Sequence, residues 1–94
     1  MHGEYKMPGG KLIVADLVVR DGRLAGVSIS GDFFLEPDTA LGIIDRALEG
    51  LPASADKEKM TAALNEALGE GVSMFGISTE AVAVAVERAL EDRS

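Results

Sequence analysis

The stretch KLIVADLVVRDGRLAGVSIS, Lys11 to Ser30, reads as two strands joined near Asp21-Gly22, and its register decides the fold. Both arms are rich in Val, Ile and Leu, and Asp-Gly between apolar runs is a hairpin signal. Two registers compete. A two-residue Asp21-Gly22 loop sets Val19 opposite Leu24, and it puts Asp16 opposite Val27, on the apolar face of the second arm. A three-residue Arg20-Asp21-Gly22 loop, with Gly22 left-handed, sets Val19 opposite Arg23. One face then gathers Ile13, Ala15, Leu17 and Val19 with Ala25, Val27 and Ile29, while Asp16, Ser28 and Ser30 turn outward. Side chains alternate with a period of two, so a slip of one residue reverses them all. The hydrophobic pattern favours the three-residue loop.

Before the hairpin, Glu4 to Met7 reads as a short first strand, and Pro8-Gly9-Gly10 as a turn. After it, apolar periodicity predicts three helices, at about 37–49, 55–68 and 78–91. Pro37 is placed at the opening position of the first, with Asp38 in reach of its dipole. Ser54 is the expected cap of the second, and Ser78 of the third, which has Glu80 in its first turn. Gly71 to Gly76 is a loop or short strand. Strands followed by helices indicate an α+β domain, a small antiparallel sheet of two to three strands packed with three helices. The whole chain, 1–94, is read as one domain.

Between the hairpin and the helices lies ISGDFFLEP, Ile29 to Pro37, which holds two of the three phenylalanines side by side. Adjacent side chains of an extended chain point to opposite faces. Phe33 and Phe34 are therefore expected to face different surroundings, one the core and the other a groove or surface. The alternative is that both rings belong to the core. Met74 and Phe75 read as core or edge filler for the last helix.

Composition narrows the function. The formal net charge is −7, which argues against nucleic acid as a partner. The charge is uneven, +1 over residues 1–31 and −8 over residues 32–94. The plain reading is acidic outer helix faces, and the sharper one is a front half that meets something anionic. No apolar run approaches the ~20 residues that span a membrane, and Met1 to Met7 lacks a signal-peptide core. A cytoplasmic location is expected. The absence of cysteine removes disulfides and thiolate chemistry.

No set of residues assembles into an active site. His2 is expected to be a disordered terminal residue without catalytic or metal role. Pro8-Gly9-Gly10-Lys11 lacks the spacing of a phosphate loop and precedes a strand rather than a helix. Lys11 is still able to project from that turn toward an anion held by another chain. Gly31 permits an unusual backbone angle or a close approach, and Asp32 can bond nearby amides. Asp32 has no second titratable partner with which to act as acid or base.

MPGGKLI, DGRLAGVSISGDFFLEP and GISTEAV together resemble the C-terminal accessory domain of lipoate–protein ligases. The matching positions are Gly10-Lys11, Asp21-Gly22, Gly31-Asp32-Phe33-Phe34 with Pro37, and Gly76-Ile77-Ser78 with Glu80, spread over roughly residues 5–91. The resemblance implies a fold like that of iron–sulfur scaffold and sulfur-acceptor proteins, without their cysteine chemistry. It implies a non-catalytic subunit, inactive alone, that joins a separate large catalytic chain. That pair would activate lipoate with ATP to lipoyl-AMP, then transfer the lipoyl group to a lysine of lipoyl-domain acceptor proteins. ATP, Mg2+ and lipoate are implied for the complex and none for this chain alone. Lys11, Gly31, Asp32, Phe33 and Phe34 are the implied interface or substrate-proximal residues. Two other readings stand beside it. One is a self-associating or general protein-interaction module, and the other a self-sufficient enzyme, which the lack of any histidine beyond His2, of cysteine and of a complete phosphate loop disfavours.

Overall fold

The protein, described over residues 1–92 by a computed structural model, is an α+β domain. Its chain order is β1 (His2–Lys6), β2 (Leu12–Arg20), β3 (Arg23–Gly31), β4 (Phe34–Glu36), α1 (Ala40–Leu48), α2 (Lys57–Leu68), β5 (Ser73–Phe75) and α3 (Thr79–Glu91). The first three strands form one antiparallel sheet in the order β1-β2-β3, and β4 pairs with β5 as a separate two-stranded arm.

The hairpin corrects the expected register while keeping its faces everywhere but at the tip. Arg20 pairs with Arg23 and Val19 with Leu24, so the loop has two residues, not three. Asp21 and Gly22 have φ of 54° and 75°, the mirror-image turn that suits strand twist. That register alone would carry Asp16 to the core. It does not, because the ladder shifts between Asp16 and Val18, and Asp16 lies opposite Ser28. Gly26 and Val27 together oppose Leu17, with Gly26 at φ 58°. This is a bulge of the kind glycine permits. Ile13, Ala15, Leu17, Val27 and Ile29 are buried as expected. At the tip the faces are exchanged. Leu24 is 1% exposed, whereas Val19 is 39% exposed and Ala25 only half-buried.

β1 begins earlier than Glu4 and includes His2, which is ordered rather than a loose terminal residue. His2 lies opposite Asp16, and its ring nitrogens are 2.7 Å from Asp16 Oδ1 and 2.7 Å from Glu4 Oε2. These bonds, Glu4's first, raise the imidazole above its ordinary 6.5. The sign follows. A raised folded value means the bridge stabilises fully below the unfolded value, and the gain is lost as pH rises through the folded one. His2→Gln is therefore expected to lower Tm at pH 6 and to leave it unchanged at pH 9. Equal losses at both pH values would remove the charge from the explanation.

The sheet lays one face on the helices. α3 crosses β1 and β2, α1 lies along β3, and α2 packs on both helices. α3 is the most enclosed, with Ala81, Val82, Ala83, Ala85, Val86 and Ala89 all buried. Ala40, Ile44 and Leu48 of α1 and Met60, Leu64 and Leu68 of α2 complete the core, each set at helical spacing. Ala67, although apolar and in α2, is exposed.

Two helix starts differ from expectation. Pro37 and Asp38 precede α1, whose N-cap is Thr39. The Ala40 amide donates to Pro37 O at 2.9 Å, so a turn occupies the span read as the first helical turn. Asp56, not Ser54, caps α2, accepting from the Lys59 amide at 2.8 Å. A carboxylate two residues nearer the helix has displaced the hydroxyl. Ser78 caps α3 as expected, accepting from the Ala81 amide at 3.1 Å.

Both edges of the main sheet are occupied by side chains or backbone from outside it. On β3, the Gly26 and Val27 amides donate to the Glu49 carboxylate and the Ile29 amide to Asp45, at 3.0–3.1 Å. Burial raises the Asp45 carboxyl above its usual range, against the lowering effect of that amide. Leu24 exchanges backbone bonds with Gly50 and Leu51, each 2.8 Å. On β1, Arg88 donates to Glu4 O and lies 5.0 Å from the Tyr5 ring, and the His2 amide donates to Asp92. Among the described residues no helix is long and apolar enough to cross a membrane.

Candidate functional site

The site begins at a turn. Pro8 and Gly9, φ 66°, lie inside a turn closed by the Gly10 amide on Met7 O at 2.8 Å, which delivers Lys11 to the mouth of β2. Beside it, β3 ends at Gly31, φ 147°. A Cβ there would lie 2.1 Å from Leu12 O, so the two strands close to a separation that only glycine allows. The Asp32 amide then donates to Leu12 O at 3.1 Å, and the chain turns off the sheet into β4.

The two phenylalanines separate as alternation requires. Phe33 is half-buried against the core, with Leu35 and Met74. Phe34 is 76% exposed and lies directly opposite Phe75, which is 55% exposed. Of the two residues read as core or edge filler, Met74 packs on the core and Phe75 turns outward. The arm holds on through Leu35 and Met74 and turns its two aromatic rings outward.

Lys11, Gly31, Asp32, Phe33 and Phe34 together line an open cleft of about 460 Å³ between the sheet end and the arm. All five residues singled out in the sequence thus share one wall. Gly76 was not among them and lies against the stem of Lys11. A Cβ on it would lie 2.6 Å from Lys11 Cγ and 3.8 Å from Asp32 O, so a side chain there would crowd the lysine stem. In the sequence it was read as the end of the Gly71 to Gly76 loop or short strand and as one of the positions of the family resemblance.

Lys11 is exposed, and among the described residues no carboxylate lies within ion-pair distance of its ammonium. The cleft offers one cation, one carboxylate and two aromatic rings. Among the described residues no group of three or more His, Asp or Glu could hold a metal ion. A smaller hollow of about 280 Å³ between Tyr5, Lys57 and Glu80 gathers no such set. The arrangement is suited to binding, with charge at one end and apolar surface at the other.

No protein-family model matches the chain, and no curated protein matches it. A solved structure does. It comes from the structural analysis of an archaeal lipoylation system, a bi-partite lipoate protein ligase and its E2 lipoyl domain from Thermoplasma acidophilum. The match has a TM-score of 0.70 and 26% identity, and it covers 92% of this chain and 97% of that one. The two chains are therefore of similar size, and neither has a large segment the other lacks. Along nearly its whole length, this chain is similar in fold and sequence to a chain of a bipartite lipoate protein ligase system.

Proposed function

We propose that this chain is the non-catalytic subunit of a two-component lipoate–protein ligase. With a separate large catalytic chain it supports ATP-dependent activation of lipoate to lipoyl-AMP, before transfer to a lysine of lipoyl domains. One observation carries the reading, the match over 92% of this chain to a chain of similar size from a system described as bipartite. The site is consistent with a subunit of this kind, since it offers a cation and aromatic surface for binding. ATP, Mg2+ and lipoate are held by the complex rather than by this chain alone. Docking stabilises the conformation of the large chain that binds substrates, which requires only that this chain bind that conformation better.

The test is lipoyl-AMP formation by the catalytic chain with and without this one. Activity that rises on adding this chain supports the reading, and activity indifferent to it leaves a general interaction module. Lys11→Ala then examines the cleft. Removing an exposed ammonium should leave Tm within about 2 °C. Lipoyl-AMP formation by the complex should fall about tenfold, as expected for losing one charge-assisted contact. Unchanged formation would reduce Lys11 to a turn residue.

A further inference from the structure

We infer that the outward face of the β4–β5 arm, centred on Phe34 and Phe75, is the surface on which the catalytic chain docks. The docking partner there is an apolar groove on that chain, rimmed by basic side chains. The inference rests on the two-component reading above and adds where, and to what chemistry, the partner binds.

The chain has four aromatic residues, and two of them form this one exposed cross-strand pair. Tyr5 and Phe33, by contrast, are packed against the core. The arm is anchored from beneath by Leu35 and Met74, so its outward rings do not hold it to the domain. The other large exposed apolar residues, Met1, Val18 and Val19, are aliphatic and belong to the N-terminus and the hairpin. Paired aromatic rings at the centre of a patch are the usual anchors of an interface.

Charge selects the occupant. The arm and its flanks, residues 31–39 and 69–78, carry Asp32, Glu36, Asp38 and Glu70 and no lysine or arginine. Lys11, set on Gly76, is the cation at the margin. A second copy would bring the same carboxylates against each other, on a chain already at −7. Like charges facing each other across an interface are unfavourable, whereas a basic rim complements them and speeds encounter. The arm therefore fits a different protein, apolar at the centre and basic around it.

Titration of the wild-type chain, Phe34→Ala and Phe75→Ala against the catalytic chain tests this. Each substitution should raise Kd about tenfold or more, mostly through faster dissociation, while Tm stays within about 3 °C. Glu36→Lys combined with Glu70→Lys should slow association and flatten its dependence on salt. Folded variants that bind with wild-type Kd and wild-type salt dependence would overturn the inference and leave the two-component reading in place. A wild-type chain that does not bind the catalytic chain at all would overturn both. A wild-type dimer in sedimentation that Phe34→Ala converts to monomer would assign the patch to a second copy instead.

Discussion

Gly3→Ala is expected to destabilise the domain by about 3 kcal/mol or more, lowering Tm by upwards of about 10 °C. Gly3 is buried in β1 where that strand crosses α3. A Cβ there would lie 2.2 Å from Ala89 N, 2.4 Å from Ala85 O and 2.8 Å from the carbonyl carbon of Arg88. All three are backbone atoms, so no rotamer change relieves the clash. Strand or helix has to move, and α3 is the helix most tightly held by the core. The same argument supplies a control. Trimming Ala85 to glycine in the Gly3→Ala background should not rescue stability, because the Ala85 side chain is not what Gly3 meets. A rescue, or a Gly3→Ala melt within about 2 °C of wild type, would mean that strand and helix are not so closely apposed. Gly26→Ala offers a contrast. Nothing lies within 4 Å of its Cβ position, and only the φ of 58° resists it. Its cost should be about 1 kcal/mol.

Gly31→Ala should act more locally and nearly as strongly, by about 2–4 kcal/mol. Its Cβ would meet Leu12 O at 2.1 Å and Phe33 Cε2 at 3.1 Å, in a backbone with φ 147°. Leu12 O is also the acceptor for the Asp32 amide. Forcing it away breaks the bond that turns the chain out of β3, so the cleft and the arm should lose order before the remaining sheet. Hydrogen exchange reads this directly. The Asp32 amide should lose protection in the variant while amides of α3 keep most of theirs. Wild-type protection at Asp32 would contradict the close approach.

The main sheet and the helices were legible because each rests on repeated local signals. Asp16 on the outer face and Leu17 inside follow from alternation, once Asp16 is kept off the apolar face of β3. The loop length itself was misread for a physical reason. Sequence shows that Asp16 must not face Val27, and a longer turn achieves that most simply. The protein instead keeps the tight Asp21-Gly22 turn and inserts a bulge at Gly26, which restores the parity. Leu24 inside and Val19 outside mark the short segment lying between the two devices. The arm was the least legible part. β4 and β5 are three residues each and lie far apart in sequence, too short for a period of two to declare itself. Without that pairing, Phe75 had no reason to stand beside Phe34, nor Gly76 beneath Lys11. The cleft residues could be named because GDFF was conspicuous, while what faces them came from long-range closure.

The guarding of the sheet edges has a consequence for synthesis. Strands emerge from the ribosome in order, at roughly 5–20 residues per second. The partners of β3, Asp45 and Glu49, follow it within about two dozen residues of chain. The partners of β1, Arg88 and Asp92, come more than eighty residues after it. Until that stretch of chain has been made, the outer edge of β1 presents unpaired amides and carbonyls, the condition that favours strand exchange between neighbouring nascent chains. What shields it in the interval is composition. His2, Glu4 and Lys6 alternate along its outward face, and charged outward side chains are a common means of discouraging such pairing. β1 is thus safe by charge until the end of α3, more than eighty residues later, makes it safe by geometry.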